Sequence, residues 1–179
     1  MYSSDDFMLI EPTEEYADQI DEFRVEFLDW RNTFSGFASL LRMGDAKKWI
    51  EWCRRQKNPA LVDPDRVTAT QYLYIRKSDN RLVGLIQVRH YFDEFLEKYG
   101  GNIGYSVRPD ERRKGIGRLM FRAVLPECRA LGLEKVIACC RDGNVGAENT
   151  IRANGGELIN TVYEPNRGIW VKRFSIDLE

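Results

Sequence analysis

The chain has 179 residues, 43% of them hydrophobic and 31% charged, and its formal net charge is −1 at pH 7. This length suits one domain with a substantial core, and the near-zero charge gives no overall field to attract nucleic acid or an anionic membrane. A membrane-spanning helix needs about 20 consecutive apolar residues, and no run in the sequence approaches that length. We therefore expect a single domain over residues 1–179, with neither a membrane nor a nucleic-acid partner.

Residue types that commonly build reactive sites are sparse or fit a protein core. The chain has four cysteines and one histidine, and no Cys-x-x-Cys spacing, so we expect no metal site. Cys139 and Cys140 lie in an apolar strand pattern, where thiols pack as small hydrophobic groups rather than act as nucleophiles. Phe27, Trp49 and Trp52 fit core packing better than a substrate wall. No secretory segment precedes the first residues, so the sequence predicts a reduced, cytoplasmic protein.

The first half of the chain predicts a strand, two helices and a hairpin. Apolar residues recur at helical spacing from Tyr16 to about Trp30, and Asp45 caps a second helix. Between the two helices the periodicity is lost, so a loop or short turns are expected over 33–44. The other predicted elements are a first strand at 7–11, a connecting loop at 58–66 and hairpin strands at 68–77 and 82–90.

Strands and helices alternate in the second half. The alternation of Ile103, Tyr105 and Val107 predicts a strand, and the apolar spacing from Ile116 predicts a helix that Pro126 should kink. The strand after this helix should lie parallel to the first, because a helix connects them. The other predicted elements are an irregular or helical segment at 91–99, that parallel strand at 133–140, a helix at 145–153 and a terminal hairpin at 157–163 and 169–178.

A basic, glycine-containing loop joins the strand at 103–107 to the helix that follows. Its residues are Arg112, Arg113, Lys114, Gly115, Ile116, Gly117 and Arg118. Glycines let the backbone approach a ligand closely, and the first helical turn leaves its N–H groups unpaired. The helix dipole adds about half a positive charge at this end, so the loop is predicted to bind an anion such as a pyrophosphate.

Other nucleotide-binding loops are excluded by their missing residues. A dinucleotide-binding fingerprint needs a third glycine after Gly117, and a Walker loop needs Gly-Lys-Ser/Thr. Neither pattern is present, which leaves a different nucleotide-phosphate binder as a distant alternative.

Two motifs carry a resemblance to a known family. Arg112-x-x-Gly115-x-Gly117 resembles the acetyl-CoA pyrophosphate loop of the GNAT superfamily of N-acetyltransferases, and the sequence from Asn144 through Ala147 and Ile151 is similar to its second motif. The order of predicted elements agrees along nearly the whole chain and is weakest over 32–66. The resemblance implies an α/β (α+β) fold with a mixed sheet of about six or seven strands and helices on both faces. Its two central strands would splay to hold CoA.

The resemblance also implies the reaction and most of its site. An acetyl group would move from acetyl-CoA to a primary amine of a small molecule or peptide, by direct attack through a tetrahedral intermediate. Ser106 and Val107 would hold the pantetheine arm and thioester carbonyl, with the Val107 N–H as oxyanion donor. The amides of 113–118 would hold the pyrophosphate, and Asn144 would face the pantetheine arm.

The catalytic acid and base are where the sequence departs from the family. Ile151 occupies the position where the family often has a tyrosine that protonates the departing thiolate, so Tyr105 or Tyr163 would have to substitute. For the base, we expect His90, the only histidine, with Glu94 second. These departures also motivate an alternative, a catalytically silent CoA-binding sensor or subunit. A homodimer could form through exposed strands of the last hairpin.

Overall fold

The protein, a computed structural model that describes residues 2–28 and 38–178, is built on one mixed sheet of seven strands. The strands are β1 (Phe7–Ile10), β2 (Ala69–Arg76), β3 (Arg81–Arg89), β4 (Ile103–Val107), β5 (Lys135–Arg141), β6 (Glu157–Glu164) and β7 (Ile169–Asp177). Their order across the sheet is β1-β2-β3-β4-β5-β7-β6. Only the β4–β5 pair is parallel among these strands, as the helical connection between them predicts.

Within the described residues, five α-helices accompany the sheet: α1 (Ala17–Glu26), α2 (Ala38–Met43), α3 (Ala46–Gln56), α4 (Ile116–Ala130) and α5 (Val145–Arg152). Short helical turns precede β1 and α1, and a π-helical segment, Leu96–Gly100, leads into β4. Helix α4 continues through Pro126, whose missing N–H is accommodated inside the helix.

The structure corrects the expectation for 33–44, part of which is helical. Helix α2 forms there because Leu40 is fully buried against α3 and the Ser39 hydroxyl accepts a hydrogen bond from the Trp49 indole at 2.9 Å. Tertiary packing thus supplies what the local periodicity lacks. The first helix ends at Glu26, short of the predicted Trp30. Trp30 and residues 33–37 of the predicted irregular segment lie outside the described residues.

The sheet separates two apolar cores. On one face, α4 packs Met120, Phe121 and Val124 against inward-facing strand residues such as Ile86 and Val88. On the other face, α1 and α3 cover Leu73, Ile75 and Leu85 with side chains that include Phe23 and Trp49. Successive strand residues point to opposite faces, so each face of the sheet has an apolar surface on which helices pack. This arrangement confirms the predicted fold, with helices on both faces.

The two central strands separate after a single shared register position. Ile103 pairs with Ala138, and none of the later β4 residues pairs with β5 within the described chain. Asn102, which is 2% exposed, fixes the point of separation: its N–H donates to the Ile137 carbonyl, its Oδ1 accepts from the Ile137 N–H and its Nδ2 donates to the Arg89 carbonyl. Gly101 has a φ of 64°, and a β-carbon there would overlap the Ile137 carbonyl oxygen, so only glycine permits this approach. A wedge-shaped gap therefore opens from Ile103 toward Val107.

Candidate active site

Backbone groups of β4 line one side of the gap. The Arg108 N–H donates to the Val83 carbonyl at 2.9 Å, and the Arg89 N–H donates to the Asn102 carbonyl at 2.7 Å. In an antiparallel pair, residues alternate between bonding to the neighbouring strand and pointing away from it. Tyr105 and Val107 therefore present their backbone groups to the gap, whereas the backbone of Ser106 faces β3.

At the open end of the gap, the chain makes an exposed bend of unpaired amides. Arg113 has a φ of 62° and Gly115 a φ of 82°, and both residues are exposed. The N–H groups of 113–118 have no hydrogen-bond acceptor among the described residues. The bend leads directly into α4, which has 15 residues and directs the positive end of its dipole at the same point. Such a bend can bind an anion through backbone alone.

A buried carboxylate supports this bend from below. Glu111 is 2% exposed, and its oxygens lie 2.9 Å from Arg76, 2.7 Å from Arg81 and 3.0 Å from Lys114. Burial alone would raise the pKa of Glu111, but hydrogen bonds from Lys114 and Arg76 and their charges outweigh it and lower the pKa. The side chain of Lys114 is therefore committed to the protein itself.

The basic side chains of the loop divide into supporting and outward-facing groups. Arg112 turns inward, where its Nε donates to the Val107 carbonyl at 3.1 Å and its guanidinium lies 5.6 Å from the Phe27 ring. Burial lowers the pKa of Arg112. Arg113 and Arg118 are exposed and form no ion pair within the described part of the chain. These two are the side chains placed to reach an anion in the bend.

Tyr105 lies between β4 and α5, beside the gap. Its ring packs edge-on against Phe121, with centroids 5.7 Å apart, and its hydroxyl lies beside Thr150 of α5. Burial raises the pKa of Tyr105 to about 12, so the phenol stays protonated at neutral pH. Thr150 precedes Ile151, whose side chain is 1% exposed in the core. A tyrosine from β4 thus brings a hydroxyl to the helix that carries the family's usual tyrosine position.

Asn144 begins α5 at the far side of the gap. Its Oδ1 accepts a hydrogen bond from the Ala147 N–H at 3.2 Å, which makes it the helix cap. The residue is exposed, and its Nδ2 has no partner among the described residues. A ligand in the gap could therefore use this amide as a donor without uncapping the helix.

His90 lies on the face of the sheet opposite the cavity that Gln87 and Arg89 line. It follows Ile86 and Val88 in alternation, and its Nε2 lies 2.8 Å from the Thr70 hydroxyl. Burial lowers its pKa. The described residues that line the cavity include neither His90 nor Glu94, and Glu94 pairs with Lys98 at 2.7 Å. This placement gives no support to either residue as the general base.

A cavity of about 360 Å³ opens on the α3 face of the sheet, beside the point where β4 and β5 separate. Gln87, Ile103 and Cys139 contribute strand residues, and Trp52 and Gln56 contribute from α3. Trp52 borders the cavity and is also a buried member of the apolar core on this face, as expected. Phe27 and Trp49 are fully buried in the core, as expected.

The paired cysteines border this cavity as thiols. Burial raises the pKa of Cys139 to about 12 and that of Cys140 to about 11. Neither forms a disulfide. Both groups are therefore neutral at physiological pH, which agrees with the interpretation that they are not nucleophiles.

Several residues of the site had no signal in the sequence. Strand register and helix packing place Asn102 at the separation of the strands, Arg89 and Gln56 at the cavity, and Glu111 beneath the bend. Glu111 offered one hint, since an acidic residue inside a basic loop often pairs with its neighbours, but its two arginine partners lie in β2 and β3.

Comparisons with known proteins identify the family. The model of the acetyltransferase (GNAT) family matches residues 26–155, which include α3, the separating strands and the exposed bend. The chain belongs to this family, whose members are acyltransferases. A search of curated protein sequences gave no match.

Solved structures share the same fold at low sequence identity. The microcin C7 self-immunity acetyltransferase MccE, in complex with acetyl-CoA and AMP, is 18% identical with a TM-score of 0.65, covering 97% of this chain and 93% of its own. A GNAT-family acetyltransferase from Bacillus anthracis is 16% identical with a TM-score of 0.63, covering 96% and 94%. Mycobacterium smegmatis RimJ, in complex with CoA-disulfide, is 16% identical with a TM-score of 0.69, covering 96% and 81%.

Among residues 2–28 and 38–178, no group of three or more histidine, cysteine, aspartate or glutamate side chains could hold a metal ion. None of the helices in the same ranges is long and apolar enough to cross a bilayer.

Proposed function

We propose that the protein transfers an acetyl group from acetyl-CoA to a primary amine held in the cavity on the α3 face. The observation that carries this proposal is the bend of unpaired amides at 113–118, which lies at the open end of the gap between β4 and β5. Four free thiols in the described chain support a reducing compartment such as the cytoplasm.

The residues present fit the co-substrate. A β-carbon at Gly115 would meet nothing within 4 Å, so the bend leaves open space for a pyrophosphate beside its amides. Arg113 and Arg118 would add two positive charges, and Arg112, Lys114 and Glu111 would hold the shape of the bend. The pantetheine arm would then lie in the gap against the Tyr105 backbone and the Val107 N–H, with Asn144 opposite.

Bound acetyl-CoA would supply an activated thioester that an amine can attack directly. The Val107 N–H, which faces the gap, would donate to the carbonyl oxygen as it gains negative charge. One such donor is typically worth about 3 kcal/mol at the transition state. Ser106, which alternates with Val107, would support it through its pairing with Leu85 on β3.

Tyr105 would donate a hydrogen bond to the departing sulfur. Against a free thiol of pKa about 8.5, complete proton transfer from a phenol with a pKa of about 12 would be unfavourable by about 5 kcal/mol. Burial reduces this mismatch, because the nearby thiol of Cys140 has its own pKa raised to about 11. A sulfur buried in the same gap would therefore be a much better proton acceptor than one in water.

Thiol release provides the test of this function. Purified protein is incubated with acetyl-CoA and a broad panel of amines, free CoA is measured continuously, and acetylated product is identified by mass spectrometry. We expect amine-dependent thiol release with one acetyl group added per CoA released.

The alternative, a silent CoA-binding sensor or subunit, is favoured by the core position of Ile151. Saturable CoA binding without thiol release for any amine class would support that alternative. The absence of both binding and release would count against the two readings together.

A further inference from the structure

The cavity on the α3 face has a strongly cationic lining. Five arginines and two aspartates contribute to it, and no lysine or glutamate does so among the described lining residues. The arginines are Arg42, Arg66, Arg89, Arg141 and Arg167. Two of these arginines also lie near acids outside the lining, Arg66 near Asp63 and Arg167 near Glu164, whereas Arg42, Arg89 and Arg141 form no ion pair within the described residues.

Arg89 is the innermost of these cations. It projects from the last position of β3, and its Nη1 donates to the carbonyls of Gly100 at 3.3 Å and Gly101 at 3.2 Å. Burial lowers the pKa of Arg89 to about 10, so it is still charged at neutral pH. No carboxylate of the described chain forms an ion pair with it, and its other N–H donors remain available. A partly buried cation without an anion is costly unless something else compensates its charge.

Gln56 adds an unsatisfied amide to the same cavity. Its side chain is 2% exposed, and neither its Oε1 nor its Nε2 has a hydrogen-bond partner in the described chain. Buried amides are nearly always hydrogen-bonded, because leaving one unpaired costs about 1 to 3 kcal/mol. Gln56 lines the cavity from the end of α3, so a ligand there is the natural partner for both atoms.

The acidic residues of the lining compensate the charge of Arg89 only in part, because Asp93 acts on it electrostatically but forms no ion pair with it within the described chain. Asp65 and Asp93 are both exposed, and the Asp93 carboxylate accepts a hydrogen bond from the Leu96 N–H at 2.7 Å. The deeper part of the cavity therefore combines a positive charge with an amide, and the carboxylates stay at its solvent side.

We propose that this cavity selects anionic acceptors, meaning small amines that also carry a carboxylate or phosphoryl group. Arg89 binds the carboxylate or phosphoryl oxygens, and the Gln56 side-chain amide forms hydrogen bonds with the same molecule. The reactive amine points toward the gap between β4 and β5. This inference rests on the proposed acetyl transfer and names its substrate class.

The same lining discriminates against acceptors with extra positive charge. A diamine brings a second ammonium group close to Arg89, where like charges repel in a partly desolvated site. The arginines also disfavour the protonated form of the reacting amine, which must be neutral to attack. Anion recognition and amine activation are thus served by one charged surface.

Matched acceptors test this inference in the thiol-release assay. Each amino acid is compared with its carboxamide, each amino-alcohol phosphate with its parent amino alcohol, and each with a diamine of similar length. We expect kcat/KM to be about tenfold to a hundredfold higher for the anionic member of the preferred pair, and diamines to be the poorest acceptors. Preference for carboxylates or for phosphates identifies which oxyanion the cavity fits.

Two cavity variants and a control variant test whether the preference for anionic acceptors comes from Arg89 and Gln56. Arg89→Met removes the charge, Gln56→Glu places a carboxylate at nearly the same volume, and Arg122→Met removes an exposed arginine from α4, away from the cavity. We expect both cavity variants to raise KM for the anionic acceptor about tenfold or more while the neutral partner changes little. CoA affinity, measured by calorimetry, should be unchanged in all three.

Different results would overturn the preference for anionic acceptors and the proposed acetyl transfer. If amides or diamines are used as well as anions, or Gln56→Glu keeps the preference for anions, the inference is wrong while the acetyl transfer stands. If no acceptor is turned over, binding of the same acceptors to the CoA-saturated protein is measured by calorimetry. Tighter binding of the anionic members than of their neutral partners supports the inference. Equal or absent binding overturns it. A protein that does not bind CoA removes the proposed function instead.

Discussion

Glu111 carries its charge almost fully buried beneath the bend that begins α4. Three cations contact its two oxygens, and two of them, Arg76 and Arg81, have further carboxylate partners in Asp79 and Asp110. The network joins the second and third strands to the loop after the fourth. Its effect is to fix the loop without using the backbone amides that the anion site requires.

Replacing Glu111 with Gln should destabilise the protein by about 3 kcal/mol. This is the low end of the cost for breaking a buried ion pair, because both arginines keep another partner. The folded-state pKa of Glu111 is lowered, so its contribution is present above the ordinary carboxyl pKa and is lost as the pH falls through the folded pKa. Urea unfolding at neutral and acidic pH should therefore show the difference between the two proteins shrinking in acid.

Glu94→Gln is the matched control for that measurement. Glu94 is also acidic and ion-paired, but its side chain is 84% exposed, and Lys98 is its one ion-pair partner among residues 2–28 and 38–178. Such a surface pair is worth less than about 1 kcal/mol. An equal loss of stability in both variants, or a difference that grows in acid, would contradict the role given to Glu111.

Tyr105→Phe tests the proposed acid in isolation. Removing the hydroxyl should lower kcat about tenfold to a hundredfold, the value of a hydrogen bond to a charged group, and leave CoA affinity nearly unchanged. Tyr163→Phe is the control, because that side chain is 49% exposed and contacts Trp170 in the last hairpin. An unchanged kcat in Tyr105→Phe would show that the phenol does not act as the acid.

At the scale of elements, the separation of β4 from β5 is built by one side chain and one glycine. Asn102 satisfies backbone groups of both neighbouring strands at the point where the pairing stops, and Gly101 lets the chain turn there. A strand pair that separates without such a clamp would leave buried amide and carbonyl groups unsatisfied. The gap is therefore a stable feature of the sheet.

Asn102→Ala should cost about 1 to 3 kcal/mol, since the Ile137 N–H and the Arg89 carbonyl each lose a partner. We also expect a higher KM for acetyl-CoA, because the width of the gap would no longer be fixed. Urea unfolding and steady-state kinetics measure the two effects. Asn160→Ala serves as the control, because this exposed side chain accepts a single long hydrogen bond within the described chain, from Arg173 at 3.3 Å. Similar losses in both variants would contradict the role given to Asn102.

The elements that the sequence predicts well are those whose signals are local. The alternation from Ile103 to Val107, the two glycines and the apolar spacing from Ile116 lie within one short stretch, so strand, bend and helix follow from it. Helix α2 was missed because its stability comes from the burial of Leu40 and not from periodicity. The face on which His90 lies depends on the register between β2 and β3, which includes an irregularity at Tyr74 and Ile75.

The acceptor cavity could not be predicted for a related reason. Gln56 is the last residue of α3 and Arg89 is the last residue of β3. They reach one cavity because α3 packs across the sheet. Neither residue belongs to a motif, and each alone would be interpreted as a surface polar group. Their functional character follows from burial without a partner, which is a property of the folded structure.

For the whole molecule, the sheet ends in an exposed edge strand. Among the described strands β6 pairs with β7 alone, and its Leu158 and Ile159 are 44% and 47% exposed. We propose that two copies pair along this edge, as unprotected edge strands tend to do. Ile159→Lys should then convert a dimer to a monomer in light scattering at unchanged CoA affinity, and a wild-type protein that is already monomeric would contradict the proposal.

The central claim is that the amides at the start of α4 bind the pyrophosphate of acetyl-CoA, and a pair of glycine variants tests it most directly. Gly115 and Gly132 lie at opposite ends of the same helix, with φ values of 82° and 85°, and a β-carbon at either would meet nothing within 4 Å. Glutamate therefore causes similar backbone strain at both positions, but only at Gly115 does it bring a negative charge to the anion site. In calorimetric titrations with acetyl-CoA, we expect wild type and Gly132→Glu to bind and Gly115→Glu to lose binding; equal binding by all three proteins, or none by wild type, would contradict the claim.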